Sequence, residues 1–186
     1  MLQPLRGKVL VEVLNDSDRT ESGLYISGVK DEVPHRGKVI EIGLPYRDKN
    51  GEHMWGFQPG HILHYKRTWD QNKVKHYILR REQIYAVEYN GEAYAFGDYV
   101  IVKRVYTGRI GDSTLIIPEG FGVQSNDIEF YGDVISVGRE NRMDINVGDR
   151  ILYQRNEGSS VRIPMKEELW SIKPRAILAK MVPSSA

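Results

Sequence analysis

The chain has 186 residues, 40% of them hydrophobic and 27% charged, with a net charge of +1 at pH 7. Residues 1–90 carry 14 Lys/Arg against 12 Asp/Glu, and residues 91–186 carry 12 against 13, so neither half has the basic excess of a dedicated nucleic-acid binder. There is no cysteine, which removes disulfides and thiolate chemistry, and no apolar run approaches the roughly 20 residues that cross a bilayer.

The opening Met-Leu-Gln-Pro-Leu-Arg-Gly lacks a basic region followed by an apolar core, so a soluble, cytoplasmic protein without membrane association is expected. Strand signals dominate the rest of the chain. Residues 8–13 are rich in β-branched residues and read as a strand, and lead into a wholly polar and charged loop at residues 15–21. That loop runs into an apolar triplet, Leu24-Tyr25-Ile26. A strand is expected at 38–42, then a hairpin within 46–55, where Asn50-Gly51 is the pair preferred in a type I′ turn. Another strand follows at 61–65 and an apolar block at 84–87. Asn90-Gly91-Glu92 reads as the junction between two domains. Beyond it, strands are expected at 99–103, 133–137 and 150–153. A short loop at 106–112 precedes a second triplet, Leu115-Ile116-Ile117, and residues 165–171 offer one helical turn at most.

The two halves repeat one order of blocks. Gly7 and Asp98 lie 91 positions apart, Ser22 and Ser113 also 91, Gly37 and Gly132 95, Gly60 and Gly148 88, and Ile84 and Ile177 93. A shared order with small drifts is what duplication followed by loop insertion and deletion leaves behind. Many short strands at this spacing indicate an all-β protein made of two small barrels or sandwiches.

Candidate chemistry is sparse. All five histidines lie in the first half, but His61 and His64 are three apart in an expected strand and point to opposite faces, which does not chelate. His35, His53 and His76 fall in separate segments, so no metal is expected. The basic and aromatic mixture around Lys66, Arg67 and Trp69 is balanced by Asp70 and Glu82 and reads as a solvated surface rather than a nucleic-acid platform. Gly120-Phe121-Gly122 has no helix after it and fails as a phosphate cradle. No Ser/His/Asp grouping stands in a suitable context. The chain is expected not to be an enzyme and to need no cofactor.

The blocks resemble the GroES-type co-chaperonins, the lids of chaperonin rings. The first half carries Pro4-Leu5, the polar loop, the Gly-led triplet, Arg36-Gly37-Lys-Val-Ile-Glu-Ile-Gly43, Pro59-Gly60 before 62–65, and Gln83-Ile-Tyr-Ala-Val87. The second half is similar more loosely, chiefly at Val147-Gly-Asp-Arg-Ile-Leu-Tyr153 and Arg175-Ala-Ile-Leu-Ala179. The resemblance implies two tandem GroES-like irregular β-barrels, residues 1–89 and 93–182, with a tail at 183–186. It further implies self-association into a ring that caps a GroEL-type chaperonin ring and assists ATP-dependent folding. Docking would fall to Leu24, Tyr25 and Ile26, with Leu115, Ile116 and Ile117 in the second copy. Two departures mark the chain: Tyr25 stands where an aliphatic residue is usual, and Thr114 where a glycine is usual. The hairpin within 46–55 corresponds to the family's roof hairpin and occurs in the first copy only. An alternative use of the same fold is as a structural or adaptor part of an oligomeric assembly, such as a capsid decoration.

Overall fold

The computed structural model describes residues 3–14, 35–66, 75–105, 129–154 and 157–181. Among these the regular structure is strand, apart from short 3-10 turns such as Arg81–Gln83 and Pro174–Ala176. In chain order the strands are β1 Lys8–Leu14, β2 His35–Ile42, β3 Tyr46–Asp48, β4 Gly51–His53, β5 Ile62–Tyr65, β6 His76–Arg80 and β7 Ile84–Tyr89. They continue as β8 Glu92–Ala95, β9 Val100–Val105, β10 Glu129–Val137, β11 Arg150–Gln154, β12 Gly158–Val161, β13 Leu169–Ile172 and β14 Ile177–Met181. Two six-stranded antiparallel sheets result, ordered β6-β1-β2-β5-β7-β8 and β12-β13-β9-β10-β11-β14, with β3-β4 a separate hairpin. Neither ladder closes on itself among the described residues, so backbone pairing does not complete the barrel outline expected from sequence.

The duplication extends to single hydrogen bonds. Gly60 N–H donates to Val39 O and His61 N–H to Gln58 O; in the second half Gly148 N–H donates to Val134 O and Asp149 N–H to Asn146 O. The irregularities repeat as well. A bulge interrupts the β5–β7 ladder between His64 and Tyr65, and another interrupts β11–β14 between Leu152 and Tyr153. Bulges reproduced at matching positions mark one scaffold used twice. Close packing beside β2 and β10 explains a shared glycine. A Cβ on Gly37 would meet Val11 Cγ2 at 2.9 Å and Tyr65 Cε1 at 3.2 Å; on Gly132 it would meet Val102 Cγ2 at 2.8 Å and Tyr153 Cε1 at 3.2 Å.

Each sheet wraps its own apolar cluster, since alternate strand residues must leave water. Val9, Val11, Val39, Leu63, Tyr65, Leu79 and Val87 belong to the first; Val100, Val102, Val134, Ile151, Tyr153 and Ile172 belong to the second. A third cluster joins the halves, with Tyr85 and Ala86 from β7 against Ala93, Tyr99, Ile101, Val161 and Ile163. Tyr85 Oη donates to Ser160 O at 2.9 Å and Ser171 Oγ donates to Tyr85 O at 3.3 Å, so polar groups within this layer are satisfied.

Two local expectations change. The 46–55 hairpin forms, but Asp48 pairs with Gly51, so Lys49 and Asn50 occupy its tip and Gly51, at φ 118°, begins β4. The left-handed Asn-Gly turn is instead Asn90-Gly91, with φ 53° and 72°, which joins β7 to β8. The segment between the two expected domains thus takes the form of a hairpin turn, and the strand after it completes the first sheet. Residues 165–171 form no helical turn. Met165 takes φ 63° and the chain extends into β13, because Trp170 must lie across from Val102 on β9.

Candidate functional site

The six triplet residues, Leu24, Tyr25, Ile26, Leu115, Ile116 and Ile117, lie outside the described residues. What can be built is the frame that holds their loops. Strand β1 ends at Leu14 and β2 begins at His35; in the second half β9 ends at Val105 and β10 begins at Glu129. The pairs closest to the two loops are Leu14 opposite Arg36 and Val105 opposite Tyr131. Gly37 and Gly132 follow one residue inside, each under the ring of a buried tyrosine.

The first frame is locked by a buried charge network. Arg36 is 5% exposed, Glu88 6% and His64 0%. Register places Arg36 opposite His64, with Glu88 on the next strand opposite Ile62. Arg36 donates through Nη2 to Glu88 Oε2 at 2.9 Å and Oε1 at 3.1 Å, and through Nε at 3.3 Å. His64 Nε2 lies 3.1 Å from Glu88 Oε2, which assigns the proton to Nε2 so that the ring donates. Burial alone would raise the Glu88 carboxyl, but the hydrogen bonds from His64 and Arg36, with the Arg36 charge, hold it below its ordinary value. His35 stacks on Tyr65 at 5.8 Å and Tyr65 on Tyr77 at 6.1 Å, extending an aromatic ladder across β2, β5 and β6.

The second frame uses different chemistry at equivalent places. At the repeat offsets, Arg36, His64 and Glu88 become Tyr131, Leu152 and Met181. The charge appears instead on β9. The Arg104 guanidinium lies 3.7 Å from the Trp170 ring centroid and 4.4 Å from that of Phe130, and donates through Nε to Tyr153 Oη at 3.3 Å. A cation between two ring faces is attracted by both quadrupoles, so this guanidinium bridges β10 and β13 through their aromatic side chains.

The sequence reading missed Arg36, His64 and Glu88 as a unit. A usable signal existed: three polar residues interrupt apolar strands in the first half at positions where the second half has Tyr, Leu and Met. His61, weighed as a metal ligand, stacks on Tyr89 at 4.9 Å, and Tyr89 stacks on Tyr94 at 4.3 Å. No cluster of three potential metal ligands occurs among the described residues. No helix among them is long and apolar enough to cross a membrane.

The chain matches the family model "Chaperonin 10 Kd subunit" twice, over residues 1–88 and 92–181. It is 32% identical over 91 residues to the co-chaperonin GroES of Lawsonia intracellularis, covering 46% of this chain and 90% of that protein. It is 34% identical over 80 residues to the co-chaperonin GroES of Dechloromonas aromatica (strain RCB), covering 39% of this chain and 79% of that one. To the co-chaperonin GroES of Pelagibacter ubique it is 38% identical over 50 residues, which span about half of that protein (52%) and 27% of this chain. A double match in register with two sheets built on one plan makes this chain a member of the chaperonin 10 (GroES) family, carrying the family's domain twice in tandem.

Proposed function

We propose that this chain acts as a co-chaperonin lid: chains assemble into a ring that caps a GroEL-type chaperonin, docking through the apolar triplets that follow segments 15–21 and 106–112. The two lid domains are residues 1–89 and 93–182, the second lending its leading strand to the first sheet. The observation that carries the reading is the double family match, with Leu14 opposite Arg36 and Val105 opposite Tyr131 at matching places in the two copies. Leu24, Tyr25 and Ile26 are the principal docking residues, and Leu115, Ile116 and Ile117 are their counterparts. Apolar burial on docking, about 25 cal/mol per Å², is offset by the ordering of the loop, so each contact is weak and several on one ring combine into avidity. The role needs no covalent chemistry in the lid.

The test mixes the protein with a purified chaperonin and ATP and measures complex formation and ATPase rate. A complex that slows ATP turnover, and that disappears with Leu24→Ser and Ile26→Ser at unchanged thermal stability, is the expected result. No complex at micromolar concentration sinks the capping role, and assembly of the chain without chaperonin binding favours structural use of the fold.

A further inference from the structure

Two Asn-Gly pairs stand in this chain, and the fold holds them differently. Asn90-Gly91 joins β7 to β8 inside the first six-stranded sheet, where β7 is also paired with β5. Both residues take positive φ, 53° and 72°. The strands beside this turn are tied down: Tyr89 stacks on Tyr94 at 4.3 Å, Lys166 Nζ donates to Glu92 Oε1 at 2.7 Å, and β8 leads to the buried Phe96. Asn50-Gly51 belongs instead to β3-β4, a two-stranded hairpin of three residues a side that pairs with neither large sheet. A lone hairpin of this size is marginally stable in water. Arg6 Nη1 donates to Pro45 O at 3.0 Å and to Glu52 Oε1 at 3.2 Å, and the Arg81 guanidinium lies 6.0 Å from the Tyr46 ring, which grips the flank of the hairpin. The Arg6–Glu52 side chains are half-exposed, so that ion pair adds little.

An Asn-Gly pair can undergo an internal acyl transfer. The glycine backbone nitrogen attacks the asparagine Cγ and a C–N bond forms. The side-chain nitrogen leaves as ammonia, taking up the proton that the attacking nitrogen gives up. Water then opens the cyclic imide at either carbonyl, giving aspartate or isoaspartate with no change in oxidation state. Glycine favours the attack because it has no Cβ to crowd its nitrogen. Ring closure demands rotation of the backbone between the two residues. At Asn50 this means opening the Asp48–Gly51 pair, the end rung of a short ladder. A Cβ built on Gly51 would meet nothing within 4 Å, and Asn50 is exposed, so rotation and the entry of water are both unobstructed. At Asn90 the left-handed turn must be given up, and with it the β7–β8 pairing that carries Phe96 into the first core. Opening part of a core sheet is far rarer than fraying the tip of a separate hairpin.

We propose that Asn50 is a self-modification site: it deamidates through Gly51 in the folded protein, while the fold shields Asn90 from the same reaction. The product places a new carboxylate at the hairpin tip, which cancels the chain's net charge of +1 at pH 7. Isoaspartate also adds one carbon to the backbone there. Neither change reaches the two large sheets, because β3-β4 pairs with neither and has no strand counterpart between β10 and β11. The modified chain therefore keeps its cores and loses the net charge that opposes self-association. This inference does not rest on the lid reading.

The test incubates the full chain in mildly alkaline buffer at physiological temperature, samples it over days and digests it for mass spectrometry with fragmentation that separates isoaspartate from aspartate. The peptide holding Asn50 is expected to convert about ten-fold faster, or more, than the peptide holding Asn90. In urea, where neither turn is held by the fold, the two rates should converge. Anion exchange should resolve an acidic form that accumulates in step with the Asn50 product, melts with the parent protein and is missing from Asn50→Gln. Equal rates at the two sites in the folded chain overturn the proposal, as does an Asn50 peptide that stays intact while the urea-unfolded chain converts. A lowered melting temperature in the acidic form overturns the claim that the cores are spared.

Discussion

The Glu88 carboxylate and the Arg36 guanidinium form a buried ion pair at 2.9 Å, with side chains 7% and 5% exposed and Arg36 the second residue of β2. Two charges out of water are tolerated only when each meets the other's hydrogen-bonding geometry, and three contacts between them, with His64 on the same carboxylate, meet that condition. The second repeat solves the same problem with Tyr131, Leu152 and Met181, so the network is a property of one copy and not of the scaffold.

Removing one partner strands the other. Glu88→Ala is expected to cost about 3–5 kcal/mol in urea unfolding, because the buried Arg36 loses its carboxylate. Replacing all three residues by their second-repeat counterparts (Arg36→Tyr, His64→Leu, Glu88→Met) should cost much less than the sum of the three single changes. Additive losses would mean that the residues act independently.

The same carboxylate sets an acid limit. Its folded pKa lies below the ordinary 4.5, so its stabilisation is complete above that value and is lost as pH falls from 4.5 through the folded pKa. Chemical denaturation across this window should show stability declining with acid in the wild type, and a shallower decline in Glu88→Gln.

At the alkaline end the joint between the repeats should respond. Tyr99 is pushed up to about 12, first by burial and then by the Asp98 charge, against a small opposing effect of Arg175. A phenol whose folded pKa exceeds its unfolded value of 10 contributes stability below pH 10 that is lost as pH rises toward 12. Ultraviolet titration should show Tyr99 among the late-ionising tyrosines, and Tyr99→Phe should reduce that late phase together with part of the alkaline loss.

Gly132 is the tighter of the two glycines that follow the loops. Gly132→Ala places a methyl 2.8 Å from Val102 Cβ, an atom fixed to the backbone, and should destabilise by about 1–3 kcal/mol. Gly37→Ala meets Val11 Cγ2 first, at 2.9 Å, and Val11→Ala should recover part of its loss. Thermal unfolding of the three variants, Gly132→Ala, Gly37→Ala and Gly37→Ala with Val11→Ala, checks the order.

Phe96 tests whether the halves are one cooperative unit. Phe96→Ala should cost about 3–5 kcal/mol, because its ring completes the core of the other repeat beside Phe57. Tryptophan fluorescence should report the change at Trp55, whose Nε1 donates to Gly43 O at 2.9 Å in the same core.

The strand blocks, the duplication and the family were legible in the order of residues, because alternation and punctuation are local and recur in one order. The lack of thiol chemistry was settled there outright. Arg36, Glu88 and His64 were beyond its reach, since residues 52 and 24 positions apart meet only when β2, β5 and β7 are adjacent. The two Asn-Gly pairs show the same limit. Both suit a left-handed turn, yet Asn90-Gly91 forms it and Asn50-Gly51 does not, because the register of the flanking strands decides which residues occupy the tip. It also took the folded chain to assign residues 92–95 to the first sheet. That pairing buries Phe96 in one repeat and leaves its counterpart Leu5 exposed, a difference set by neighbours and invisible in the segments themselves.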